Sequence, residues 1–330
     1  MQFSKNYKNK LSSVSPASFD NFALELFYHQ AEHTPIYRDF LYYLNIKPSS
    51  VTRLADIPFI PIEFFKEHQI ICSALPTEKI FESSGTTGMT TSKHFFHDVN
   101  FYVDNCRRIF SRFYGDIQDY TILALLPSYI ERGTSSLTAM AADFISKSDS
   151  KYSGFYLNNF DELIANIKKA ISSNEKVLLL GVTFALLDLA EQFPTDLSSI
   201  IIMETGGMKG RREEMTRKEV HEVLISAFSV REIHSEYGMT ELNSQAYSLG
   251  KGIFSTAPWM KVQFRDLNDP LSSSSEISSG AMNIIDLANI DSCAFIATQD
   301  LGKSLGGNQF EILGRIDHSD IRGCNLLVVE

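Results

Sequence analysis

Between residues 19 and 44, aromatic and aliphatic side chains recur at helical spacing: Phe22, Leu26 and Phe27, then Tyr37, Phe40, Leu41 and Leu44. The pattern predicts two amphipathic helices broken near Thr34-Pro35, since a residue before proline is pushed out of helical geometry. Residues 57–65 (IPFIPIEFF) are apolar but carry two prolines, which predicts a buried extended segment or a short helix entry. From about Tyr120 the texture alternates. Residues 120–126 (YTILALL) end at Pro127 and read as a buried strand, 135–146 as a helix, and 161–171 as a helix with Leu163, Ile164, Ile167 and Ile171 on one face. A strand at 177–180, a helix at 184–192 and a strand at 199–203 follow. Thr216 and Glu219 have capping-box spacing and predict a helix to about Phe228, with a short strand at 230–234 after it. Strands alternating with helices imply crossover units and a parallel sheet covered on both faces, an α/β fold.

Beyond Gly252 the pattern shortens. Residues 261–267, 280–287, 293–298 and 310–313 are strand-like runs divided by Asp269-Pro270, a serine run at 272–275 and Gly306-Gly307. They predict antiparallel sheet or a partial barrel beside the α/β part, with a soft boundary near residue 250. The whole chain has 330 residues, which suggests two domains or one large domain with an appendage. The formal net charge of −10 and the lack of a basic tract argue against a general nucleic-acid binder, though not against one anionic ligand in a local site. No apolar run reaches bilayer-spanning length, and residues 1–15 do not read as a signal peptide. The scattered Cys72, Cys106, Cys293 and Cys324 read as reduced thiols, so a cytoplasmic protein without membrane association is expected.

Three segments could carry chemistry. Residues 81–93 (FESSGTTGMTTSK) combine Gly85 and Gly88 with the hydroxyls of Ser83, Ser84, Thr86, Thr87, Thr90 and Thr91. Glycines let backbone N–H groups approach a phosphate, and hydroxyls add donors. P-loop spacing fails, because Gly88 is not followed by Lys, and composition leaves a flexible polar turn open. Residues 234–241 (HSEYGMTE) place Tyr237 and Gly238 at a strand end. The tyrosine can offer a face to a base, and Glu241 can hold a hard cation such as Mg²⁺; a plain strand-to-helix turn is the alternative. Gln299-Asp300 and the run Gly314-Arg315-Ile316-Asp317 could bind ribose hydroxyls and phosphate, or be two surface turns.

Taken in this order, the three segments resemble the adenylate-forming superfamily of acyl-CoA synthetases, nonribosomal-peptide adenylation domains and firefly luciferase. SSGTTG (83–88) is similar to its phosphate loop, YGMTE (237–241) to its adenine and Mg²⁺ motif, QD (299–300) to its ribose-binding motif and GRID (314–317) to its hinge. The resemblance spans roughly residues 80–324. Residues 57–68 (IPFIPIEFFKEH), 126–137 (LPSYIERGTSSL) and 204–217 (ETGGMKGRREEMTR) look like the acyl-protein synthetases of bacterial bioluminescence, the LuxE type. Those enzymes activate a fatty acid as acyl-AMP and pass the acyl group to a cysteine near their C-terminus.

The resemblance implies a large N-terminal adenylate-forming domain over 1–313, with layered α/β sheets to about 250 and a small distorted β-barrel over 251–313. A hinge and short tail would follow over 314–330, without the usual C-terminal domain and its catalytic lysine. Lys93, Arg315 or a partner chain would have to substitute for that lysine. It further implies ATP and Mg²⁺ as cofactors. Ser83, Ser84, Gly85, Thr86, Thr87 and Gly88 would cradle the β,γ-phosphates. Tyr237 and Gly238 would meet adenine, with Gly206 and Gly207 along its other side. Thr240 would contact the α-phosphate, Glu241 would hold Mg²⁺, Asp300 would bind the ribose, and Arg315 would support ribose or leaving phosphate.

Cys324 would accept the acyl group as a thioester, with Arg322 and His318 near it in sequence to lower its pKa; a small buried hydrophobe is its structural alternative. The implied partners are a carboxylic acid and an acyl reductase, acyl carrier or CoA acceptor. Two rival readings stand beside this one: an acid–CoA ligase using free CoA, and a non-catalytic nucleotide- or acyl-binding protein. His94 and His97 are three apart but lack an evident third metal ligand, and the basic run at 209–212 (KGRR) reads as a solvated helix start or a phosphate contact.

Overall fold

The chain is described by a computed structural model over residues 2–73, 75–83, 90–127, 133–207, 212–213, 215–267, 269, 271 and 277–316. Its N-terminal helices are α1 (Gln2–Lys10), α2 (Phe19–His33) and α3 (Pro35–Tyr43). The expected break at Thr34-Pro35 is present: Pro35 opens α3, where its missing N–H leaves no helical bond unmade. One face of α2, with Phe19, Ala23, Leu26 and Phe27, is buried. The segment 57–65 becomes strand β1 (Ile60–Pro61), and α4 (Phe64–Glu67) follows it.

Next come the hairpin of β2 (Lys79–Glu82) and β3 (Lys93–Phe96) and the helix α5 (Val99–Tyr114), whose Asp98 cap accepts from the Phe101 N–H at 2.9 Å. The alternating region follows: β4 (Tyr120–Leu125), α6 (Ser136–Lys147), β5 (Gly154–Tyr156), α7 (Phe160–Ser172), β6 (Lys176–Val182), α8 (Thr183–Gln192), β7 (Ile201–Thr205), α9 (Arg217–Phe228) and β8 (His234–Tyr237). Every residue of β4 is buried, as a strand covered on both faces must be. The Thr216/Glu219 capping box opens α9.

Two strand positions differ from expectation. The strand expected at 199–203 begins at Ile201, and the one expected at 230–234 begins at His234. Val230 and Ile233 are buried without joining the ladder, whose pairing to β7 starts at Met203 opposite His234. Apolar residues report burial; hydrogen-bond pairing is a separate requirement.

The antiparallel part comprises β9 (Ala246–Ser248), β10 (Ile253–Thr256), β11 (Met260–Arg265), β12 (Ser279–Asp286), β13 (Phe295–Gly306) and β14 (Gln309–Arg315). It joins the α/β part in one sheet of order β11-β12-β13-β14-β10-β9-β8-β7-β6-β4-β5, with β1 added in parallel to β13. Strands β5, β4, β6, β7 and β8 are mutually parallel, and direction reverses at β9. A mixed α/β architecture on one large sheet is therefore observed.

The N-terminal helices are tied to the late strands. Phe295 meets the rings of Phe27, Tyr37 and Phe59 at 6.1, 6.2 and 6.3 Å. Each such pair contributes about 0.5–1.5 kcal/mol beyond its burial. Ser4 donates to Asp291 at 2.6 Å, and Lys8 reaches Asp291 at 2.7 Å and Asp98 at 3.0 Å. A second, smaller apolar cluster of Ala246, Phe254, Phe264, Met282 and Phe310 fills the antiparallel part.

Candidate functional site at the carboxyl ends of the parallel strands

Parallel strands deliver their carboxyl ends to one edge, and in open α/β sheets ligands bind in the crevice outside those ends. Here β7 runs out into Gly206-Gly207 and β8 into residues 237–241. Thr205 pairs with Glu236 across the two strands, so the two turns leave the sheet at one level. Gly206 has a φ of 74°, and a Cβ placed on Gly207 would meet nothing within 4 Å. That open backbone could lie along a flat ring. Thr183, opening α8, donates to the Gly206 carbonyl at 3.2 Å and steadies the turn.

The second turn is anchored to the β2–β3 hairpin. The His94 Nδ1–H, on β3, donates to the Thr240 carbonyl at 2.8 Å. Burial lowers the His94 pKa to about 4, against its hydrogen bond to Thr240, so the ring is neutral at pH 7. Asn289 holds the Glu241 carbonyl at 2.8 Å. The Glu241 carboxyl is buried, which raises its pKa, while a hydrogen bond from Ser92 and the charge of Arg315 act in the opposite direction. The Ser92 N–H in turn donates to the Ser83 hydroxyl at 2.9 Å. Ser83 and Thr240, far apart in sequence, are thus both tied to the β2–β3 hairpin, through Ser92 and His94. His94 serves as a support for the backbone, and among the described residues no three His, Cys, Asp or Glu side chains cluster to hold a metal.

The antiparallel part supplies the third element. Asp300 on β13 lies opposite Arg315 on β14. The Tyr237 hydroxyl donates to Asp300 Oδ2 at 2.7 Å, and its ring stands edge-on to Phe254 and Phe310, each at 6.1 Å. Burial raises the Asp300 pKa; the Tyr237 hydroxyl and the charges of Arg315 and Arg217 lower it. Arg315 Nε is 3.9 Å from Asp300 Oδ1, and its Nη2 reaches Gln299 Oε1 at 3.4 Å. Gln299 also donates to Glu63, from the 57–68 segment. The pair expected to hold base and ribose, Tyr237 and Asp300, is therefore bonded together.

Two buried carboxyls escaped the sequence reading. Glu204 on β7 meets Arg217 at 3.3 Å and His221 at 3.6 Å. Burial pushes its carboxyl up, but the His221 hydrogen bond and the Arg217 charge outweigh it and hold the pKa below the ordinary value. Glu236 on β8 projects from the opposite face and accepts from the Thr205 hydroxyl. Burial, reinforced by Glu204, raises its pKa to about 7 against that hydrogen bond. An acidic residue late in an apolar strand run was the available signal in IIMET; IHSEY, with His234 and Ser235 before the glutamate, offered none.

Ser84, Gly85, Thr86, Thr87, Gly88 and Cys324, with His318 and Arg322, lie outside the described residues, as do residues 209–211 of the basic run. Arg212, the last of that run, is paired with Asp188 and, at 2.7 Å, with Glu191; it lies in a bend and does not open a helix, since α9 begins at Arg217. Cys72, Cys106 and Cys293 are buried thiols. No helix among the described residues is long and apolar enough to cross a membrane.

No family model and no curated protein matches the chain. Solved structures similar to it in shape include the adenylation domain of a keto acid-selecting nonribosomal peptide synthetase module bound to keto acyl adenylate. It is 12% identical with a TM-score of 0.48, over 72% of this chain and 51% of that one. Another is the fatty acyl-adenylate ligase from L. pneumophila in complex with acyl adenylate and pyrophosphate, at 17% identity and a TM-score of 0.49, over 73% and 51%. A third is a four-domain nonribosomal peptide synthetase bound to AMP and glycine, at 11% and 0.46, over 72% and 18%. The chain spans about half the length of the first two. Identities this low, with TM-scores below 0.5, define neither a family nor a substrate.

Proposed function

We propose that the chain uses ATP to activate a carboxylic acid as its acyl-adenylate and then passes the acyl group to a thiol, that of Cys324. The observation that carries this reading is the convergence of Tyr237, Thr240, Glu241, Asp300 and Arg315 with Gly206-Gly207 at one edge of the sheet. The spacing of the glycine- and hydroxyl-rich loop and the resemblance of the motifs to adenylate-forming enzymes support it. In the first step a carboxylate oxygen attacks the α-phosphorus. The acyl–phosphate bond forms as the bond to the β-phosphate oxygen breaks, and pyrophosphate leaves. In the second step the Cys324 thiol gives its proton to solvent, its sulfur attacks the acyl carbonyl, and AMP leaves.

Such chemistry asks the protein for position and charge complementarity more than for covalent help. Asp300 would accept the ribose hydroxyls, with Tyr237 orienting the carboxylate. Thr240, pinned by His94, would present a hydroxyl to the α-phosphate, and Arg315 would lend positive charge beside it. Glu241 fits a magnesium site, since one carboxylate plus substrate phosphates is a common Mg²⁺ donor set and a cation would offset the cost of its burial. Bound there, the ion would neutralise charge developing on the phosphates. The closing test is ATP–pyrophosphate exchange across a broad panel of acids, with intact-mass analysis after incubation with ATP and acid. Acid-dependent exchange and an acyl adduct lost in Cys324→Ser are expected. An adduct that persists in that variant removes Cys324 from the reaction, and the absence of exchange with every acid refutes activation.

A further inference from the structure

Beneath the turn at Gly238 lies a polar interior that the proposed roles leave unused. The Glu236 carboxylate heads it. Its Oε2 is taken by Thr205, while its Oε1 lies so close under the turn that a Cβ on Gly238 would sit 2.4 Å from it. Gln245 stands beside it, its Cγ 3.4 Å from the same Cβ position. Tyr247 on β9 is the direct cross-strand neighbour of Glu236. From α5, Tyr102 and the Cys106 thiol face the same space, both within reach of the Glu236 charge, and the Tyr102 hydroxyl donates to the Ser136 carbonyl at 3.1 Å. All five side chains are at least nine-tenths buried.

Two polar atoms here have no protein partner: Gln245 Oε1 and the Tyr247 hydroxyl. Buried polar atoms are paired in native proteins with few exceptions, and an unpaired group costs free energy unless water or a ligand satisfies it. Gln245 Oε1 accepts, as does Glu236 Oε1 once that carboxyl ionises near pH 7, and the Tyr247 hydroxyl can do either. The interior therefore calls for a donor. It also lies two residues before Thr240, beside which the acid's carboxylate must react.

We propose that this interior receives a hydroxyl or amino substituent close to the carboxyl group of the acid, so that the substrate is a hydroxy or amino acid and not a plain alkanoate. The proposal rests on the acid-activating reading above and narrows it. A bare alkyl chain in this position would leave the Glu236 carboxylate and two orphaned atoms facing hydrocarbon. A donor group would pair with them. A site built to hydrogen-bond a substituent rejects the analogue that lacks it far more strongly than an apolar pocket rejects an extra group.

The test compares octanoate with its α- and β-hydroxy and α- and β-amino derivatives. Exchange kinetics and calorimetric binding are measured on the full chain, on Glu236→Gln and on Tyr247→Phe. The proposal expects at least one substituted acid to exceed octanoate by about 10- to 100-fold in kcat/KM, the scale of one hydrogen bond to a charged partner. It expects that preference to shrink in both variants. Tyr247→Phe guards against misfolding, since it deletes a hydroxyl with no protein partner and keeps the ring. Equal exchange of octanoate and every derivative overturns this proposal while leaving acid activation standing, the orphaned atoms then being served by buried water. No exchange, but selective binding of a substituted acid that weakens in the variants, overturns activation and keeps the site. Neither exchange nor binding overturns both.

Discussion

Replacing Tyr237 by Phe deletes one hydroxyl while the ring's edge contacts to Phe254 and Phe310 remain. The lost hydroxyl is the donor at 2.7 Å to Asp300, a side chain only 17% exposed. A hydrogen bond to a charged group is worth about 1.5–3 kcal/mol, and the residual exposure of Asp300 places the expected loss near 2 kcal/mol. The loss should depend on pH. Burial already raises the Asp300 pKa above its ordinary 3.8, so ionising it in the folded state costs stability as pH climbs through the raised value. Without the hydroxyl the pKa rises further and the cost grows. Below 3.8 the carboxyl is protonated in both folded and unfolded chains, and most of the difference between wild type and variant vanishes. Urea denaturation checks this. With a slope of roughly 3 kcal/mol per molar, the midpoint of Tyr237→Phe should fall by about 0.7 M at pH 8. The shift should be clearly smaller at pH 3, below the ordinary carboxyl value. A shift of equal size at both pH values, or none at pH 8, would refute the account of how Asp300 is held.

Glu236→Gln should flatten the pH dependence of stability. The carboxyl is raised by burial from 4.5 to about 7, so its contribution is whole below pH 4.5 and is lost as pH rises through about 7. The wild type should weaken by up to about 3 kcal/mol across that window relative to the variant, measured by denaturation at several pH values. Glu241→Gln should raise the Mg²⁺ concentration that half-saturates ATP–pyrophosphate exchange by about tenfold or more; an unchanged Mg²⁺ requirement would exclude Glu241 as its ligand. Thr216→Ala removes half of the capping box of α9 and should cost about 1 kcal/mol, read as a lower urea midpoint. Gly302→Ala would place a Cβ 2.7 Å from the Glu311 carbonyl oxygen and 2.8 Å from Met282 Sδ, and should destabilise by about 1–3 kcal/mol in thermal melts.

Elements whose hydrophobic period matched their burial were legible in the sequence. Helix α7 shows one apolar face and β4 an unbroken apolar run, and both formed within a residue or two of expectation. Strands β9 and β10 were not legible. They have three and four residues and are turned by Gly250, Lys251 and Gly252 at positive φ, so their existence depends on pairing with β8 and β14. In the candidate site, Tyr237, Glu241 and Asp300 were singled out by residue type and spacing, and the fold bonds Tyr237 to Asp300. Their supports were not legible. His94 holds Thr240 across 146 positions, and Glu63 meets Gln299 across 236, contacts that no local pattern encodes. The polar interior around Glu236 was hidden for the same reason, since Tyr102, Cys106, Gln245 and Tyr247 converge only once α5 lies against the sheet.

The closing of the first helices onto β13 bears on how the chain reaches this fold. Ser4 and Asp291 are 287 positions apart, and β1 pairs with β13. Contacts of such separation form late and slow folding, because the intervening loop entropy must be overcome before they stabilise anything. During synthesis α2 and α3 can pack on each other and on Tyr7, but the rings of Phe27 and Tyr37 meet Phe295 only once residues near 295 emerge. A growing chain of this kind is exposed to aggregation for most of its translation. Chaperone demand and expression temperature should therefore govern its yield.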